Sequence, residues 1–145
     1  MVRIIERILA VLGIVILLAA TIYVAIKFQG INEDIPIHFN AAGEPDGYGS
    51  KYSLLFPIIL GWVIYISNLI LLRLPKIWNV PAGWSYAPIK MMVVVLNVFV
   101  ALTFAWMIVA SVRGQGLGLG FIIVTLGGIF GTIIIGCTVS FLKRG

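Results

Sequence analysis

Four long apolar stretches separated by short charged segments set the pattern of this chain. The first runs from Ile8 to Ile26 between Arg7 and Lys27, and the second from Tyr52 to Leu72 between Lys51 and Arg73. The third runs from Met91 to Val112 between Lys90 and Arg113. The fourth lies between Arg113 and Lys143 and opens on a glycine-rich lead-in. Each holds the roughly 20 residues that an α-helix needs to cross about 30 Å of hydrocarbon. The runs are continuous, with no period-two alternation, which selects helices over a β-barrel. The expected fold is an all-α integral membrane protein with four transmembrane helices. A single transmembrane domain spans 1–145, with helices at about 4–28, 51–73, 88–112 and 117–142 and an ordered loop at 29–50. The first run is longer than the core of a signal peptide and no small-x-small site follows it, so it is expected to stay as the first helix.

Composition sharpens this picture. Hydrophobic residues make up 61% of the chain, mean hydropathy is +1.15, and only 10% of residues are charged. A soluble domain carries about 25% charged residues, so a bilayer is the solvent that fits. The net charge of +5 does not point to nucleic acid, because the cations sit at the ends of apolar runs, as topology signals do. With the N-terminus inside, Arg3, Arg7, Arg73, Lys76, Lys90, Lys143 and Arg144 face the cytoplasm, against Lys27, Lys51 and Arg113 outside. That bias predicts cytoplasmic termini in a cell (plasma) membrane. The segment between the second and third runs holds Pro75, Pro81 and Pro88, which are expected to interrupt helix. Trp78, Trp84 and Tyr86 are expected there as an aromatic belt, their polar atoms in water. Cys137 has no second cysteine to pair with.

No Asp, Glu, Lys, Arg or His lies inside these spans. Ion-coupled transport, proton pumping and intramembrane hydrolysis usually need such a group, so no catalysis and no cofactor are expected. Asn68 and Asn97 are the most polar groups within the spans, and they fall at similar depth, so they are expected to hydrogen-bond to each other. In helix four, Gly120, Gly127 and Gly131 recur on one face, and Gly127 with Gly131 forms a GxxxG pair expected to seat a neighbouring helix. Gly116, Gly118 and Gly120 suit a short turn and helix entry.

The loop from Ile35 to Lys51 is more specified than a solvated connector requires. Pro36 extends Ile35, and Ile35, Ile37 and Phe39 alternate with Pro36, His38 and Asn40. One face is expected to rest on the membrane or the helix tops while the other presents His38 and Asn40. Asn40 to Gly43 suits a turn, and Pro45-Asp46-Gly47 a second one. Ser50 suits a cap for helix two, Lys51 suits headgroup phosphates or Asp46, and Pro57 suits a kink or an interfacial turn leading into the span. His38, Asp46 and Glu44 lack a recognised metal-ligand spacing. The plainer expectation is that His38, Asn40 and Asp46 hydrogen-bond the loop's own backbone into a compact cap.

The run Ile35-Pro36-x-His38-Phe39-Asn40-x-x-Gly43-x-x-Asp46-Gly47-Tyr48-Gly49-Ser50-Lys51, placed between two membrane helices, resembles the domain of unknown function 1648 membrane proteins. The SdpI-like bacteriocin immunity proteins belong to that family. With the flanking helices the resemblance takes in about the first half of the chain. It implies a multi-pass membrane protein whose loop, through Pro36, His38, Phe39, Asn40, Gly43, Asp46, Gly47, Gly49 and Lys51, meets a membrane-active peptide toxin. In that family the immunity protein protects its producer and also holds a transcriptional repressor at the membrane; its longer relatives have further helices. The alternative is a structural or accessory subunit of a larger assembly, contacting membrane lipids and a membrane-protein partner.

Overall fold

The computed structural model describes residues 2–74 and 86–142. Helix α1 spans Val2–Lys27 and continues through a 3-10 turn at Phe28–Gly30. Strands β1 (Asp34–Phe39) and β2 (Pro45–Ser50) follow, then a 3-10 turn at Lys51–Leu54 and α2 (Leu55–Leu71). Helices α3 (Tyr86–Arg113) and α4 (Gly118–Leu142) complete the described chain. Among the described residues, four helices are long and apolar enough to cross a membrane. The hairpin of β1 and β2 caps one end of the bundle, called here the hairpin end. The start of α1, the end of α2 and the start of α3 meet at the other, the terminal end.

The prolines sit where helices tolerate them. Pro57 lies in the first turn of α2 and Pro88 in the first turn of α3. Pro88 therefore does not interrupt helix, because the first-turn N–H it lacks would have no intrahelical partner. Tyr86 is not a water-facing belt residue either. Its hydroxyl donates to the carbonyl of Leu72, 3.1 Å away, closing the end of α2. Pro75, Lys76, Trp78, Pro81, Trp84, Lys143 and Arg144 lie outside the described residues.

Helix α3 is the hub: α1, α2 and α4 each pack along it, and α4 lies apart from α1 and α2. Three apolar layers fill the bundle. At the hairpin end Ala20, Val24, Ile31, Ile35, Leu54 and Ile108 pack together. Leu17, Tyr65 and Ala101 form the middle layer, and Leu72, Val93 and Val94 the layer at the terminal end. Large apolar side chains such as Ile22, Phe56 and Ile123 face outward. In a bilayer that costs nothing, since lipid tails are as apolar as these side chains, and association rests on close packing and interhelical hydrogen bonds.

Glycines set the closest approaches, but not the ones the GxxxG pair predicts. A Cβ on Gly127 or Gly131 would meet nothing within 4 Å, and one on Gly120 would only graze Trp106 at 4.0 Å. The seam with α3 uses Gly128, seated under Phe99, and Gly136, seated under Met92. The rotation of α4 about its axis is set by these two knobs on α3, which turns the GxxxG face outward. In α1, Gly13 admits the ring of Tyr65; a Cβ there would lie 2.5 Å from the ring.

Polar groups inside the bundle find partners across helices. The Tyr65 hydroxyl donates to the Ala10 carbonyl at 2.6 Å. Trp62 Nε1 donates to Thr21 Oγ1 at 3.1 Å, and that hydroxyl donates to the Leu17 carbonyl at 2.8 Å. Asn68 Nδ2 donates to Asn97 Oδ1 at 2.8 Å, as expected from their matched depth. Asn97 Nδ2 is buried without a partner among the described residues. An asymmetry follows. Asn68→Leu strips Asn97 of its remaining bond and should destabilise by about 1–2 kcal/mol. The double variant Asn68→Leu/Asn97→Leu removes both groups and should lie nearer the parent. Detergent–SDS unfolding midpoints would check this; a double variant worse than the single would refute it.

One charged pair also enters the bundle. Helix α1 begins at Val2, so Glu6 lies within it and is 8% exposed. Its Oε2 accepts from Lys90 Nζ of α3 at 2.6 Å. Glu6 and Lys90 each stand in the second turn of their helix, just outside the apolar spans, which themselves hold no Asp, Glu, Lys, Arg or His.

Candidate functional site

The hairpin begins where the chain leaves α1. Ile31 and Ile35 turn into the layer at the hairpin end, and Pro36 is fully buried beside them. Strands β1 and β2 pair antiparallel, with Asp34 opposite Ser50, Ile35 opposite Gly49 and Pro36 opposite Tyr48. His38 then faces Gly47, and Phe39 faces Pro45. Each strand thus carries one residue outside the ladder, Ile37 on β1 and Asp46 on β2. Such bulges re-aim side chains. At this bulge the burial pattern changes: Ile37 is 48% exposed where Ile35 is buried.

Pro45-Asp46-Gly47 is strand, not a second turn. The glycines of β2 are there for space. A Cβ on Gly47 would lie 2.9 Å from His38 Cβ, and one on Gly49 would lie 2.7 Å from Ile37 Cδ1. The β1 side chains lie across these bare positions. The bulged Asp46 meets His38 instead, its Oδ1 accepting from Nδ1 at 2.5 Å. His38 and Asp46 therefore bond each other, not the loop backbone. Both are substantially exposed, so the pair stabilises the fold by less than about 1 kcal/mol. Its effect is to fix the imidazole's orientation and leave Nε2 without a partner among the described residues. Among those residues no group of three His, Cys, Asp or Glu gathers that could hold a metal.

The turn is built by Asn40. Its Oδ1 accepts from the N–H groups of Ala42 and Glu44 at 2.9 and 3.0 Å, and its carbonyl accepts from Gly43 at 2.9 Å. Gly43 adopts φ +78°, a conformation that favours glycine. Its carbonyl accepts from Leu117 N–H at 2.7 Å. The hairpin tip is thereby bonded to the α3–α4 connection, where Gly114 and Gly118 also take positive φ. This backbone contact is as close as it is because both sides are bare: a Cβ on Gly116 would sit 2.8 Å from the Gly43 oxygen.

Lys51 pairs with Glu33 at 2.8 Å, not with Asp46, and lies 5.3 Å from the centroid of the Phe28 ring. Its N–H also donates to the Glu33 carbonyl at 2.9 Å, closing the base of the hairpin. Phe28 and Tyr52 stack edge to face beside it. Ser50 Oγ accepts from Tyr52 N–H at 3.4 Å and so caps the turn that leads into α2. Glu33 and Leu117 had no local signal in the chain, and Gly116 was marked only as part of a turn; the folded hairpin brings all three to the motif.

Two grooves flank this cap. One, of about 570 Å³, lies under Ile35–Ile37 between α2 and α3, with Phe56, Leu60, Phe104 and Met107 in its walls. The other, of about 530 Å³, lies between the hairpin and α4, rimmed by His38 and Asn40 and floored by Met107, Phe121 and Leu126. The second combines a polar rim on the hairpin with an apolar face of the helices, while the hairpin wall of the first is apolar, made by Ile35, Pro36, Ile37 and Phe39. Of the motif residues, Pro36, Gly43, Gly47, Gly49 and Lys51 build the hairpin and its anchorage. His38, Asn40 and Phe39 border the grooves.

Helices suited to a bilayer, closed at one end by a bonded hairpin, define a multi-pass membrane protein. Residues 15–61, from the middle of α1 through the hairpin into α2, match the model of a domain of unknown function (DUF1648), and the chain carries that domain. No curated protein and no solved structure matches the chain.

Proposed function

We propose that this is a non-catalytic protein of the cell membrane with cytoplasmic termini and an external hairpin, acting as an SdpI-like receptor or immunity protein against a membrane-active peptide. The observation that carries the reading is the groove between the hairpin and α4. It offers an apolar floor of Met107, Phe121 and Leu126 under a polar rim of His38 and Asn40. An amphipathic peptide at the membrane surface presents the complementary pair of faces. The His38–Asp46 bond holds the imidazole ready, and exposed Ile37 and Tyr48 add apolar contact on the hairpin itself.

Deletion of the gene should sensitise its host to a secreted membrane-active peptide, and the wild-type gene should restore protection. His38→Ala/Asp46→Ala should insert at normal levels, because the exposed pair adds under about 1 kcal/mol, yet lose protection. Full protection by the double variant would end this assignment.

One observation favours a second reading, an accessory subunit of a larger assembly. The Gly127 and Gly131 face of α4 meets nothing among the described residues, and small residues let a second helix approach closely. That reading expects a defined membrane partner to co-purify in mild detergent; recovery as a lone monomer counts against it.

A further inference from the structure

We propose that the terminal end of the bundle holds an anionic phospholipid, its phosphate against Arg3, Arg7 and Arg73 and an acyl chain in the groove between α1 and α2. The groove, about 500 Å³, is charged at its rim and apolar deeper in. Arg3 and Arg7 stand one turn apart on α1, and Val11 and Ile14 continue the same stripe toward the bundle centre, since residues three and four apart share a helix face. The antiparallel α2 supplies the facing wall in the same order, Arg73 at the rim and Leu69 below. Polarity along the groove thus changes as it does along a lipid, from headgroup to chain.

Charge decides the headgroup. Four cations line the rim with one carboxylate, Glu6, and that carboxylate is taken by Lys90 at 2.6 Å. Among the described residues, Arg3, Arg7 and Arg73 have no carboxylate partner. Guanidinium groups match phosphate oxygens bidentately and keep their charge at any cellular pH. Arginines that merely mark topology have no reason to converge from two helices on one groove. The groove exists because α1 and α2 each pack along α3 more than along one another. A free phosphate would use the rim and leave the apolar wall unfilled, so the occupant is the lipid.

The test uses the full chain in mild detergent, titrated with dioleoylphosphatidylglycerol or dioleoylphosphatidylcholine and read by native mass spectrometry. Each cation near an anionic headgroup strengthens binding about fivefold. The parent should therefore prefer phosphatidylglycerol by about 100-fold, and Arg7→Gln/Arg73→Gln should reduce this to about fivefold. Arg7→Lys/Arg73→Lys should keep most of the preference, which separates loss of charge from loss of structure. Arg113→Gln, at the hairpin end, should change nothing. Equal retention of the two lipids overturns the proposal, as does an equal loss in Arg113→Gln. Displacement of phosphatidylglycerol by millimolar inorganic phosphate overturns it too, because the site would then be one for the soluble anion.

Discussion

A leucine at position 13 should force α1 and α2 apart. A Cβ there would already lie 2.5 Å from the Tyr65 ring, and Tyr65 is fully buried with its hydroxyl on the Ala10 carbonyl. The ring cannot yield sideways, because Leu17 and Ala101 pack around it. Overpacking of this kind costs about 1–3 kcal/mol, and the lost interhelical hydrogen bond adds about 1 kcal/mol. Gly13→Leu should therefore destabilise by about 3 kcal/mol, read as an earlier midpoint in an SDS titration of the detergent-solubilised protein. The companion Tyr65→Ala makes the cause visible. In the pair Gly13→Leu/Tyr65→Ala the leucine enters the space the ring leaves, so the double variant should be more stable than the sum of the single losses. Strict additivity would mean that the two residues do not compete for one space.

The second large effect is expected at the hairpin tip. Gly43→Val places a β-branched residue at φ +78°, and its Cβ would meet the Gly118 nitrogen at 3.1 Å. Left-handed backbone alone costs an L residue about 1–2 kcal/mol, and the steric conflict should detach the tip from the α3–α4 connection. The readout is local. The Leu117 N–H, bonded to the Gly43 carbonyl at 2.7 Å, should exchange with deuterium about tenfold or more faster, on the scale of the 1–2 kcal/mol removed. Gly116→Ala should speed the same exchange with Gly43 left in place, since its Cβ would sit 2.8 Å from the Gly43 oxygen. Unchanged exchange in both variants would show that the contact does not hold the tip.

The parts legible in the chain were those imposed locally. A bilayer demands about 20 consecutive apolar residues, so the four helices could be placed to within a few residues. Asn68 and Asn97 could be paired because two isolated polar groups at one depth have few other partners. Asn40 to Gly43 announced its turn through residue types that make one. The rest depended on partners distant in sequence. Pro45-Asp46-Gly47 has the composition of a turn, but Gly47 and Gly49 are bare to make room for His38 and Ile37 across the ladder. Lys51 took Glu33 over Asp46 because the strands return to the base of the hairpin, while Asp46 lies at a bulge near its tip. Glycine spacing alone could not choose between the Gly127–Gly131 face and the Gly128–Gly136 face of α4; Phe99 and Met92 on α3 made the choice. Glu6 carried no sign of burial in the chain because its partner Lys90 stands 84 residues away.

Helix α3 supplies the floor on which the hairpin end is built, and this separates two ideas of a unit. The segment that matches the domain model, 15–61, contains Ala20, Val24, Ile31, Ile35 and Leu54, but the cluster they form closes on Ile108. Leu17 likewise closes on Ala101. What is portable as sequence is therefore smaller than what is self-sufficient as structure. A graft of residues 15–61 into another bundle would carry the motif intact. It would keep its shape only where the recipient offers an aliphatic side chain in the place of Ile108 and a small one in the place of Ala101.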